Sequence, residues 1–153
     1  MLEAALHSLP HGPEFRFIDE LVELDPGRSG RGRYLLRDDA TFLKGHFPGH
    51  PLMPAVLMVE SIAQLAGLVA QTDPSLPPLA DLRLTAIRGI KIHGAALPCE
   101  ILEIHAQIQG RLGPLIQAQG SITTGGRLLA EGQVTLSGTH SAPMPSELPA
   151  SAP

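Results

Sequence analysis

Seventeen residues after Pro54, AVLMVESIAQLAGLVAQ, are good helix formers with almost no polar face. A helix that is apolar on nearly every side has to be enclosed. A bilayer is not what encloses it. The most apolar window, Leu52 to Ala70, contains Pro54, Glu60, Ser61 and Gln64, and a charged side chain near a bilayer centre costs about 2.5 kcal/mol or more. The rest of the chain must therefore supply the wrapping, and a membrane is not expected as a partner. Pro54 suits the first turn of the helix, where its missing N–H is not needed. The segment DPSLPP at 73–78 ends the helix.

Everything else that carries a pattern reads as strand. Residues 15–36 are extended segments punctuated by the turn DPGRSG at 25–30, whose Pro and Gly supply turn dihedrals. Leu102, Ile104, Ala106 and Ile108 alternate with Glu103, His105 and Gln107, a period of two. Leu128, Ala130, Val134 and Leu136 are expected to repeat the pattern, with Gly125-Gly126 as the hairpin turn before them. One long apolar helix with about five or six strands predicts an α+β domain whose antiparallel sheet wraps the helix. At 153 residues and 43% hydrophobic composition there is material for one core. We expect a single domain over 1–138 and a disordered Pro-rich tail over 139–153.

Composition excludes several classes of function. Aromatic residues are 3% of the chain and the formal charge is −4, so stacking platforms and a basic footprint for nucleic acid are both missing. One cysteine, Cys99, forms no intramolecular disulfide and no multi-cysteine zinc site. The opening MLEAALHSLP has neither a basic region nor a sustained apolar stretch of a signal peptide. A reducing, cytoplasmic setting is expected.

The chemistry concentrates in GHFPGHPLMPAVLMVESIAQ, residues 45–64. Glu60 is a carboxylate among Leu57, Met58, Val59, Ile62 and Ala63, and carboxylates are almost never fully buried without a partner or a task. Gln64 follows at i+4 on the same face, making a polar stripe narrow enough to line a pocket. A structural ion pair or a solvated stripe is the alternative. His46 and His50 flank Phe47-Pro48-Gly49 just before the helix start, where free N–H groups and the helix dipole favour developing negative charge. A base beside such donors is what α-proton abstraction requires; a turn residue bonded to nearby backbone is the plainer reading of either histidine. The i, i+4 spacing of the two lies in a Pro-interrupted loop, not on a helix, which argues against a metal site. No cofactor is expected.

The motifs G-H-F-P-G-H-P, M-P and E-x-x-A-Q, all in register, resemble the (3R)-hydroxyacyl-acyl-carrier-protein dehydratases of bacterial type II fatty acid synthesis. The resemblance begins at LPHGPEFRFIDELVELDPG (9–27), is strongest at FLKGHFPGHPLMPAVLMVESIAQLAGL (42–68) and continues through IRGIKIHGAALPCEIL (87–102). It implies a hot-dog fold and elimination of water from a 3-hydroxyacyl thioester on acyl carrier protein, with no metal or cofactor. Position by position, it implies His46 as the catalytic base and Glu60, 14 residues on, as the acid. Backbone N–H groups of Ala55 and Val56 would polarise the thioester carbonyl, with Gln64 and Gly49 in support. It also implies a homodimer in which the two catalytic residues of one site come from different subunits, and often a trimer of dimers.

Three departures from the family pattern stand out. Ala55 occupies a position usually held by Gly, the P-G-D turn becomes Pro98-Cys99-Glu100, and few aromatic residues remain, leaving Tyr34 and Phe42 as candidates for a tunnel gate. Lys44, Arg88 and Lys91 are either a solvated face or a docking patch for the acidic carrier protein. Rival readings are a hot-dog thioesterase or dehydratase-isomerase, and a catalytically weak subunit that works in a heteromer with another hot-dog protein.

Overall fold

The computed structural model describes residues 1–140. Helix α2 spans Ala55–Gln71, with Pro54 one position earlier than expected, as the N-cap. The pyrrolidine ring presets the backbone there, and Leu57 N–H already donates to Pro54 O at 2.9 Å. Around α2 lie β1 (Glu20–Asp25), β2 (Ser29–Leu35), β3 (Leu79–Ile92), β4 (Ile101–Leu112), β5 (Leu115–Thr124) and β6 (Arg127–His140). A short helix α1, Leu2–His7, precedes them and has no counterpart in the sequence reading. The strands form one antiparallel sheet in the order β1-β2-β4-β5-β6-β3. A sheet curled about one long helix is the hot-dog arrangement.

The sheet comes unusually close to the helix because of small residues in register. Gly30 on β2 pairs with Ala106 on β4, Ala106 with Gly120 on β5, and Gly120 with Gly132 on β6. A methyl group at Gly30 would stand 2.7 Å from Val69 Cγ2, and one at Gly120 would overlap Ile62 Cγ2. Side chains at Gly30 and Gly120 would lift α2 off the sheet. Instead Ile62, Leu65 and Val69 are fully buried over this trough.

The strand patterning holds for β4, where Leu102, Ile104 and Ala106 are buried. On β6 it fails at one residue. Pairing shifts between Ile122 and Thr123, so Leu129 is an extra residue in the ladder. Leu129 and Ala130 both turn inward and Leu128, expected inside, is exposed. Gly125 and Gly126, with φ of 54° and 77°, close the β5–β6 hairpin in the both-positive geometry of a type I′ turn. Strand β6 also runs two residues past the expected boundary, since Thr139 and His140 pair with Ala80 and Leu79. The remainder of the expected tail, 141–153, lies outside the described residues.

Candidate active site

The loop that carries His46 is held by a turn and by a ladder-like pair of bonds. Phe47 and His50 exchange backbone hydrogen bonds at 3.1 and 2.8 Å. Pro48 and Gly49, the latter at φ 76°, fill the two central positions, the placement preferred in a type II turn. Gly49 therefore acts through the backbone, and His50 is an exposed turn residue. Leu52 N–H donates to His46 O at 2.8 Å, while His46 Nδ1 lies 2.9 Å from Leu52 O. A carbonyl oxygen can only accept, so Nδ1 carries a proton, and the lone pair of the neutral ring is then on Nε2. The Phe47 ring stacks on the imidazole at 4.1 Å. At the start of α2, Leu57 and Met58 N–H both reach Pro54 O, at 2.9 and 3.4 Å. The N–H groups of Ala55 and Val56 are the ones helical geometry leaves without an internal acceptor, and the Val56 side chain is 73% exposed.

Glu60 faces a different space. It lines a cavity of about 750 Å³ walled by Leu9, Pro10 and His11 of the N-terminal segment, by Ala63, Gln64 and Leu68 of α2, and by residues of β3 from Leu79 to Leu84. Gln64 is 3% exposed and uses its whole amide. Its Oε1 accepts from Phe17 N–H at 2.9 Å, and its Nε2 donates to Phe15 O at 2.9 Å and to Glu60 Oε1 at 3.1 Å. Those backbone partners settle the amide orientation and make Gln64 a fixed donor to Glu60. His46 does not line this cavity. Within one chain, then, the expected acid and its glutamine are together, whereas the expected base is tied to Leu52 and stays off their cavity.

One expectation is corrected. Tyr34 and Phe42 are not at the cavity. They pack around Phe17, at 5.6 and 6.3 Å between ring centroids, with Phe15 on its other side at 4.9 Å. The chain holds only four Phe and one Tyr, so this cluster, with Phe17 and Tyr34 buried at its centre, takes up every such ring except Phe47, and Tyr34 and Phe42 pack there away from the cavity. Arg88 and Lys91 of β3 line a shallow depression with Glu131, and Lys44 lies exposed in the loop after β2. No group of three or more His, Cys, Asp or Glu side chains suited to hold a metal ion occurs among the described residues.

Residues 9–133 match the FabA-like domain family. The chain belongs to the FabA-like family. Its curated relatives include the 3-hydroxyacyl-[acyl-carrier-protein] dehydratase FabZ of Myxococcus xanthus, 31% identical over 129 residues and covering 84% of each chain. The FabZ of an Anaeromyxobacter species is 32% identical over 133 residues, covering 85% of this chain and 84% of its own. Among solved structures, the dehydratase heterocomplex ApeI:P from Xenorhabdus doucetiae superposes with a TM-score of 0.73 at 17% identity, over 86% of this chain and 88% of that one. Zebra fish thioesterase superfamily member 2 superposes at 0.64, also at 17% identity and over 86% and 88% of the two chains. These two likenesses are likenesses of fold, and they establish the hot-dog architecture for this FabA-like chain. His11, a cavity residue of the FabA-like domain, is absent from the sequence-based candidates. Its one signal is its place in LPHG, inside the first stretch that carries the family resemblance.

Proposed function

We propose that this FabA-like protein is a hydro-lyase that converts 3-hydroxyacyl-acyl-carrier-protein thioesters to trans-2-enoyl thioesters in fatty acid or polyketide-type synthesis. The observation that supports the reading best is the His46 ring: with Nδ1 bonded to Leu52 O, the lone pair of the neutral imidazole is on Nε2, in the loop that leads into the helix start. His46 Nε2 removes the C2 proton, and the electron pair of that C–H bond becomes the C2=C3 double bond. Protonated Glu60 gives its proton to the C3 hydroxyl, which leaves as water with the C–O electron pair. The N–H groups of Ala55 and Val56 stabilise the enolate-like thioester oxygen, an effect worth about 2.7–4 kcal/mol per donor. The proton on His46 then returns to Glu60 through solvent. The largely apolar cavity beside Glu60 accepts the acyl chain.

Since His46 and Glu60 of one chain face different surroundings, the site is completed by a second copy. Strand β3 is the seam that best supports this homodimer: it is a sheet edge of 14 residues with Ile87 and Ile92 exposed by 55% and 47%. Lys44, Arg88 and Lys91 are assigned to docking of the acidic carrier protein, and the protein to the cytoplasm. No helix among the described residues is long and apolar enough to cross a membrane.

The test is turnover of 3-hydroxyacyl-acyl-carrier-protein, followed by enoyl-thioester absorbance, with light scattering on the same samples. Wild type is expected to be active as a dimer, and His46→Ala and Glu60→Gln each to lose about 10²–10⁴-fold in kcat while remaining dimeric. Hydrolysis of the thioester without elimination, or activity that needs a second hot-dog protein, would overturn the assignment in favour of a thioesterase or a heteromer subunit.

A further inference from the structure

Glu60 is contacted from two elements, its own helix and the N-terminal segment. Gln64 Nε2 donates to Glu60 Oε1 at 3.1 Å, and His11 Nε2 stands 3.4 Å from the same oxygen. His11 lies 49 residues before Glu60 in sequence, yet both line the cavity. His11 is placed by its surroundings: its ring faces Phe15 at 6.5 Å, and its carbonyl accepts from Arg16 Nη2 at 3.2 Å. Its Nδ1 is buried without a hydrogen-bond partner among the described residues. Buried polar atoms of native proteins are as a rule satisfied, so this one asks for a reason.

The tautomer decides whether that atom is an unpaired donor or an unpaired lone pair. A proton on Nδ1 would bury a donor with no acceptor and would turn the lone pairs of Nε2 and Oε1 toward each other. A proton on Nε2 leaves only a lone pair at Nδ1 and places an N–H on the nitrogen 3.4 Å from Oε1, just outside hydrogen-bond geometry in the free chain. We propose that His11 is a positioning residue for Glu60, holding Oε1 jointly with Gln64 so that the carboxyl meets substrate through Oε2. The proton given to the departing hydroxyl then travels on Oε2. The negative charge that results is shared with Oε1, where Gln64 Nε2 already donates and His11 Nε2 stands close enough to join it. The 3.4 Å separation is that of the free chain, and catalytic contacts of this kind shorten as charge develops.

This inference rests on the dehydratase reading, and one kinetic series separates the two. Wild type, Glu60→Gln, His11→Leu and His11→Gln are compared with 3-hydroxyacyl-acyl-carrier-protein, with thermal unfolding and light scattering as controls. His11→Leu is expected to lower kcat by about 10- to 100-fold, the range of a hydrogen bond to a charged group, with KM within about twofold. His11→Gln, whose amide nitrogen reaches the place of Nε2, should recover most of that loss. An unchanged kcat in His11→Leu, beside an inactive Glu60→Gln, overturns the role of His11 and leaves the dehydratase reading standing. Equal losses in the Leu and Gln variants assign His11 to packing and overturn the proposal in the same way. A Glu60→Gln variant as active as wild type overturns both.

Discussion

The close seating of α2 on the sheet makes Gly120→Ala a severe test of the fold. The new methyl would overlap Ile62 Cγ2 and stand 3.1 Å from both His105 O and Ile62 Cγ1. None of these can yield easily. His105 O belongs to the neighbouring strand, and Ile62 is a fully buried β-branched side chain with a stiff χ1. Overpacking of this kind costs about 1–3 kcal/mol, and the backbone contact argues for the upper end. Reduced freedom of the unfolded chain returns about 0.4–1 kcal/mol, so the expected loss is about 2 kcal/mol. For a chain of 153 residues this is a fall in Tm of about 4–8 °C. Urea titration should give a lower midpoint with an unchanged slope. Ile62→Ala alone should cost about 2–5 kcal/mol through the cavity it leaves. In the double variant the methyl added at position 120 occupies part of that space, so the combined loss should fall short of the sum by at least about 1 kcal/mol. A Gly120→Ala variant within about 0.5 kcal/mol of wild type, or strict additivity in the double variant, would refute the close-approach argument.

Three further outcomes follow from particular residues. Cys99 holds a φ of 70°, where a side chain is strained by about 1–2 kcal/mol; Cys99→Gly should stabilise the protein by up to about 1 kcal/mol in urea once the freer unfolded chain is counted, and a destabilised variant would show the strain argument to be wrong. Burial, and secondarily Asp19, push the Tyr34 phenol above its ordinary 10.0, with Arg37 opposing. Its folded-state pKa is the raised one, so this contribution is complete below pH 10.0 and is lost as pH rises beyond it. Wild type should therefore lose more stability than Tyr34→Phe between pH 9 and 11, about one unit to either side of the free phenol value, and parallel stability curves would contradict this. Gln64→Leu strips the buried Phe17 N–H of its acceptor and the part-buried Phe15 O of its donor, at a cost of about 1–3 kcal/mol for the buried N–H left unsatisfied. Amide exchange at Phe17 should accelerate more than exchange in β5, and equal protection in wild type and variant would sink the tether.

The helix and the β5–β6 turn are legible in the sequence because their causes are local. A run of seventeen helix formers after a proline, and two adjacent glycines between alternating segments, leave the backbone few alternatives. Leu128 departs from its expected burial because a bulge is decided by what the partner strand offers, and its own sequence, Leu128-Leu129-Ala130, reads equally well in either register. Glu60 is conspicuous as a carboxylate among apolar neighbours, and Gln64 follows from helical periodicity. The partners of both are invisible at that level, since Phe15, Phe17 and His11 reach them from the far end of the chain, and no spacing rule links residues brought together by the tertiary fold. Tyr34 and Phe42 have only scarcity to suggest them as gates; the demand of the core for their rings wins.

Strand β3 offers a last consequence. A free edge of 14 residues is a hazard to any soluble protein, because it can zip together with whatever extended segment drifts past. Its pairing with β6 shifts register three times, between Ala80 and Arg83, Leu84 and Ala86, and Arg88 and Lys91, so no uninterrupted stretch exceeds three residues. Each shift adds local twist and breaks the even row of N–H and C=O groups presented outward. A flat, featureless strand finds no long run to match, and growth of a fibril from this edge lacks its template. What this edge can recruit is a strand with compensating kinks, so its shape by itself discriminates against indiscriminate self-association.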